Sequence, residues 1–272
     1  MMENNVTVIL PILTLNESEK DYFANAIASV REQKVTPKSL TIVIPKNEEL
    51  KKELESFDYG DKLSDRVTIL ENEGETDFCS QVNFGVSKIE TEWFSVLELD
   101  DVYSNIWFDN FIKYTESYDD VDVFLPIVLD VNTDNQFIHF TNEPVWAKDF
   151  SENLGFLDND ALLNFPNFQL SGSVIRKESF TSVGGLKSGI KMFFNYELML
   201  RLTYYDKKIM TIPKIGYKKV NMRPDSLFWQ YKNVPEKTID PVESRFWFNT
   251  SKKECYFKSD RGIKYEMESS TM

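Results

Sequence analysis

Trp93-Phe94-Ser95-Val96-Leu97-Glu98-Leu99-Asp100-Asp101 is an apolar, β-prone run that stops abruptly in three carboxylates within four residues. A strand buried on both faces delivers such acids to its exposed C-terminal end, which is where open α/β sheets bind their ligands. Extended geometry places Glu98 and Asp100 on one side and Asp101 on the other. A pair of carboxylates so placed offers hard oxygen ligands to a divalent cation such as Mg2+ or Mn2+. The alternative reading is that the acids open the next helix, whose macrodipole favours negative charge at its start.

Toward the N-terminus the strand pattern recurs. Residues 6–10 close at Pro11 and residues 40–44 at Pro45, as short buried parallel strands do. Between them Ser18-x-x-Asp21 reads as the cap of a helix that turns Phe23, Ile27 and Val30 inward, with Ala24 and Ala28 beside them. A charged helix over 48–57, a strand at 67–70, a loop at 71–77 and a helix over 78–88 then lead to the acidic strand. This alternation implies right-handed crossovers and a mostly parallel sheet flanked by helices.

Downstream, a helix over 104–117 carries Ile106, Trp107, Phe111 and Tyr114 inward, and residues 123–129 read as another buried strand. Residues 130–165 mix Asn, Asp, Pro and aromatics without a period, as loops around an active-site rim do. Residues 168–175 read as a strand rich in small residues, followed by a short helix from Lys177 that stops at Gly184-Gly185. A helix over 195–205 capped by Asn195, and strands at 209–212 and 216–220, complete the sheet.

The length of 272 residues suits one large α/β domain, residues 1–225, with an extension at 226–272. That extension interleaves aromatics with basic residues: Phe228, Trp229, Tyr231 and Lys232, then Arg245 to Phe248 and Tyr256 to Lys258. Such a segment either packs onto the main domain or stacks on sugars or bases, and packing is the favoured reading. No apolar run approaches the ~20 residues of a transmembrane segment, and no signal peptide opens the chain, so a cytoplasmic protein is expected. Cys79 and Cys255 show no metal or disulfide spacing, and the single histidine, His139, sits in no recognisable motif, which disfavours Cys-His and Ser-His chemistry.

Charge is divided unevenly along the chain. Residues 1–206 hold 17 Lys+Arg against 36 Asp+Glu, whereas residues 207–264 hold 14 against 6. The acidic body discourages loose nucleic-acid binding, and the basic segment either faces a phosphate-bearing ligand or forms a solvated surface. Lys218, Lys219 and Arg223 at the end of the last strand are the candidate phosphate ligands, Arg223 first because a guanidinium grips phosphate through paired hydrogen bonds.

In this order and spacing the segments resemble the family 2 glycosyltransferases of the GT-A fold, from about Val6 to Ser226. The opening strand ending in Pro11 with Asn16-Glu17 after it, Ala28-Ser29-Val30-Arg31-Glu32-Gln33, Gln81-Val82-Asn83-Phe84-Gly85-Val86 and Glu98-Leu99-Asp100-Asp101 each resemble a family motif. So do Val174 to Leu186, which ends in Gly-Gly-Leu, and the helix from Tyr196 to Leu202. The resemblance implies metal-dependent, inverting transfer of a sugar from a nucleoside diphosphate, a UDP-sugar being the expected donor, to an acceptor hydroxyl on a glycan, protein, lipid-linked sugar or modified nucleic acid. It places Pro11, Thr14, Asn16, Glu17, Gln81 and Leu99 at the nucleotide, and Asp100, Glu98 and Asn221 at Mn2+ or Mg2+. Where the family has Glu-Asp at its acceptor helix, with the Asp as base, this chain has Phe194-Asn195. An amide is no base at neutral pH, so the proton falls to Glu197 or to an acid of 130–165. Two other classes fit less well: a nucleotidyltransferase, whose glycine-rich loop is missing from residues 11–20, and a non-catalytic sugar- or partner-binding descendant.

Overall fold

A computed structural model of the chain describes residues 5–143, 155–164, 167–190, 193–221, 223 and 226, and the backbone of three later strands within 246–268. Four parallel strands form its first half: β1 (Val6–Pro11), β2 (Ser39–Pro45), β3 (Val67–Asn72) and β4 (Trp93–Val96). They are joined by α1 (Lys20–Arg31), α2 (Glu48–Glu55) and α3 (Phe78–Lys88). The second half adds β5 (Val102–Tyr103), α4 (Trp107–Thr115), β6 (Val123–Val131), β7 (Phe137–Thr141), β8 (Phe156–Leu157) and α5 (Asn159–Asn164). It ends with β9 (Val174–Arg176), α6 (Lys177–Ser182), α7 (Phe194–Tyr204) and β10 (Ile209–Val220). The sheet runs β3-β2-β1-β4-β9-β6-β10-β5, with β7 paired to β6 and β8 to β10.

Alternation along the central strands sorts the core into two layers, as a sheet covered on both faces requires. Val6, Val8 and Leu10 pack with Leu40 and Ile42 against Phe23, Ile27 and Val30 of α1 and Trp107, Phe108 and Phe111 of α4. Ile9 and Val43 face the opposite way, toward Val82 and Val86 of α3 and Leu198 and Leu202 of α7. Helix α3 comes unusually close: a Cβ on Gly85 would meet the methyls of Ile9 and Val43 at 2.9 Å.

Several expected details differ. Helix α1 has Glu19, not Ser18, at its N-cap, and Ala26 rather than Ala24 is buried there. Ile106 is the N-cap of α4 and 40% exposed, its inward place taken by Phe108. Asn195 lies inside α7, whose N-cap is Phe193. The strand expected over 168–175 shrinks to β9, antiparallel to both neighbours, because Gly172 at φ +71° turns the chain before it. The aperiodic 130–165 stretch contains a hairpin, since β7 returns along β6. The two strands expected after α7 are one, β10, interrupted by register shifts between Ile212 and Tyr217.

Beyond residue 226, β11 (Phe246–Asn249), β12 (Glu254–Lys258) and β13 (Lys264–Glu268) form a separate antiparallel sheet. Phe228, Trp229, Tyr231, Lys232 and Arg245, with the expected packing of their segment onto the main domain, lie outside the described residues. Among the described residues no helix is long and apolar enough to cross a membrane.

Candidate active site

Strand β4 ends at Val96, and the acids that follow sit on a turn rather than on an extended strand, closed by the Asp101 N–H donating to the Glu98 carbonyl at 3.1 Å. That turn, not strand alternation, gathers the carboxylates. Glu98 is fixed from two sides: its N–H donates to the Tyr217 hydroxyl at 3.1 Å, and its Oε1 accepts from Ser171 Oγ at 3.0 Å. Asp101, expected on the opposite side from Glu98 and Asp100, is buried. It is 1% exposed, its Oδ1 accepts from the Val220 N–H at 2.8 Å, and its Oδ2 is buried without a hydrogen-bond partner. Burial, followed by the charges of Glu98 and Asp100, holds its carboxyl well above the usual range. Asp100 is raised chiefly by burial, against the pull of Arg223.

The three basic candidates part company in space. Arg223 Nε stands 2.9 Å from Asp100 Oδ2 and its Nη1 3.4 Å from Glu19 Oε1, with the guanidinium 5.8 Å from the Tyr22 ring. Lys219 turns inward and donates to Gln169 Oε1 at 2.8 Å. Burial opposes its charge, but Glu98, Asp101, Asp130 and Asp100 together hold its pKa above the lysine norm. Lys218, next along the strand, points to the other face and donates to Asn135 Oδ1 at 3.0 Å. It lines a cleft of about 480 Å3 with Asp100, Tyr22, Asn25 and Asn132, and so borders the acidic turn from the opposite side of the strand to Lys219.

The loop after β1 is tied by a residue that sequence reading passed over. Glu19 Oε2 accepts from the Asn16 N–H at 3.0 Å and from Thr14 Oγ1 at 3.5 Å, while its other oxygen meets Arg223. Glu17 instead pairs with Lys20 on the surface. Pro11 closes β1 in the buried layer, and Leu99 rides the acidic turn against the core. Gln81 is fully buried on α3, with both amide atoms lacking partners, one turn from Gly85 toward the strand ends. A buried amide left unpaired is costly, and a ligand's polar edge would satisfy it.

At the start of α7, Asn195 lines a small apolar hollow with Glu98 and Ser171. Glu197 does not face that hollow as a free base. Both its oxygens bind Arg201, each at 2.7 Å, and Arg201 in turn donates to the carbonyls of Val183 and Gly185. The pair braces α7 against the Gly184-Gly185 turn, a structural role. Asn221 also differs from its expected place as a metal ligand: its amide donates to Asp130 Oδ1 and its N–H to the Val131 carbonyl.

The donor set fits a hard cation in part. Among the described residues no three acidic, histidine or cysteine side chains stand together to hold one unaided. Asp100 and Glu98 would offer two hard oxygen ligands near the orphaned Asp101 Oδ2, and a Mg2+-like ion normally takes one or two carboxylates and completes its shell with water and phosphate oxygens.

The family model described as "Glycosyl transferase family 2" matches residues 8–183, more than half of the chain. No curated protein matches it in sequence. Among solved structures, S. aureus TarS 1-349 in complex with UDP-GlcNAc superposes with a TM-score of 0.60 at 11% identity, covering 86% of this chain and 69% of that one. The same S. aureus protein in complex with UDP gives 0.58 at 12% identity, covering 86% and 68%.

Proposed function

Because the chain belongs to glycosyl transferase family 2, we propose that it moves a sugar from a nucleoside diphosphate to an acceptor hydroxyl, with inversion, at the turn that closes β4. What carries this reading is the convergence of Glu98, Asp100, Arg223 and the Glu19-tied loop at the C-terminal end of β1 and β4, the ligand-binding edge of such a sheet. Mn2+ or Mg2+ at Asp100 and Glu98 would supply Lewis-acid neutralisation of the departing diphosphate. The chain's own groups divide the remaining work. Thr14, Asn16 and the buried Gln81 amide border the nucleoside. Arg223, held ready on Asp100 and Glu19, reaches the diphosphate and offers it a planar pair of donors. Ser171 and Tyr217 keep the Glu98 carboxylate in place. A UDP-sugar is the first donor to test, since the structural neighbour from S. aureus was captured with UDP-GlcNAc.

The test is calorimetric titration of UDP-GlcNAc into the chain with and without Mn2+. Binding is expected to need the cation, and Asp100→Ala to abolish the cation-dependent part while the melting temperature holds. Equal affinity of the variant in Mn2+ would remove Asp100 from the site.

A further inference from the structure

The chain lacks the carboxylate expected at the start of its acceptor helix, and the acids around the turn are committed elsewhere. Glu197 is bound to Arg201, Asp100 to Arg223, and Asp101 and Asp130 are 1% and 2% exposed. The strand registers bring another titratable group onto the same face. Lys219 of β10 is registered with Asp130 of β6, and Asp130 with His139 of β7, so the three side chains form a row across three adjacent strands. At the inner end of that row Lys219 meets the carboxylates of the turn. At the outer end the His139 side chain is 50% exposed, with Nε2 3.8 Å from Asp130 Oδ2.

Asp130 is buried and held on both oxygens. Asn221 donates to its Oδ1, and Thr141 Oγ1 donates to Oδ2 at 3.2 Å. Gln169 links Thr141 to Lys219 by donating to the threonine and accepting from the lysine. Hydrogen bonds therefore link Glu98 through Ser171, Gln169 and Thr141 to Asp130, and His139 Nε2 stands 3.8 Å from that carboxylate, which can orient the ring.

We propose that His139, positioned by Asp130, is the base that takes the acceptor proton in this chain; the proposal rests on the glycosyl-transfer reading above. With the proton assigned to Nε2, the nitrogen 3.8 Å from Asp130, Nδ1 carries the free lone pair. The acceptor O–H gives its proton to Nδ1, and its oxygen forms the new bond to the anomeric carbon. The bond from that carbon to the diphosphate oxygen breaks, and its electron pair leaves on the phosphate. Asp130 is the charged group directly facing the ring, and Lys219, beyond it, partly offsets its charge.

The experiment follows UDP release from UDP-GlcNAc in Mn2+, with water as acceptor, across pH 5–9, alongside calorimetric donor affinity and an NMR titration of the chain's single histidine. Wild type is expected to show a rising limb matching the histidine titration. His139→Gln should lose that limb and about 10²–10⁴-fold of turnover with donor affinity intact, and added imidazole should restore part of the rate in His139→Gly. Asp130→Asn should lower turnover by loosening the ring while leaving donor affinity intact. Turnover and limb surviving in His139→Gln overturn the assignment of the base alone. A wild-type chain that neither binds nor turns over the donor overturns the transfer reading and the base together.

Discussion

Arg223 touches Asp100, Glu19 and Tyr22, three residues drawn from the turn after β4 and the start of α1, so one guanidinium spans the proposed diphosphate site before any ligand arrives. Glu197 illustrates the opposite case, an acid that looks free in sequence and is fully used in the structure. Glu197→Gln should halve the bidentate grip on Arg201, which stays buried, at a cost of about 1.5–3 kcal/mol. In a domain of this size that is a fall in Tm of roughly 3–12 °C, read by thermal denaturation, with donor affinity unchanged. An unaltered Tm with a large drop in turnover would instead make Glu197 the base. Some of this was legible beforehand. Glu98 and Asp100 stand out because an apolar run that ends in acids delivers them to the ligand-binding end of a buried strand. The Glu197–Arg201 pair is readable in the sequence as an i,i+4 ion pair. Glu19 and Asp130 were not legible, because side-chain direction in an aperiodic loop and the registry of a hairpin depend on partners far away in sequence.

At the level of elements, the site is built by turns rather than by strands. Gly172 holds φ +71°, and a Cβ there would lie 2.3 Å from Tyr217 Cδ2. Tyr217 fixes the Glu98 backbone through its hydroxyl, so Gly172→Ala should do two things. It should lower stability by about 1–3 kcal/mol through backbone strain, and it should weaken cation-dependent donor binding by displacing Glu98. Gly189→Ala, where the added methyl meets nothing within 4 Å, is the matched control and should leave both unchanged. Melting curves and calorimetry on the two variants check this, and equal behaviour would detach Gly172 from the site. The parallel strands and α3 were readable because buried strands capped by proline and a 3.6-residue period are local signals. The antiparallel insertion of β9 between β4 and β6 was not, since a three-residue strand flanked by small residues carries no sign of its direction.

Across the whole molecule, the sheet order β3-β2-β1-β4-β9-β6-β10-β5 is what joins residues 19, 98–101, 130, 171, 217–221 and 223 at one edge. The basic balance of the C-terminal third reaches that edge through Arg223 and Lys219, and Lys218 lines the cleft beside Asp100. The resemblance read from ordered motifs agrees with the family match over residues 8–183 and with the superposition on S. aureus TarS. The central claim is that the acidic turn and Arg223 together receive a cation and the diphosphate of a nucleotide sugar. A crystal structure of the chain grown with UDP and Mn2+ tests it most directly. The account predicts an anomalous manganese peak at about 2.1 Å from an Asp100 carboxylate oxygen, near the distance of a Mg2+-type site, with Arg223 moved from Asp100 onto the diphosphate. UDP bound elsewhere, or manganese bound away from the turn while Arg223 still grips Asp100, would contradict it.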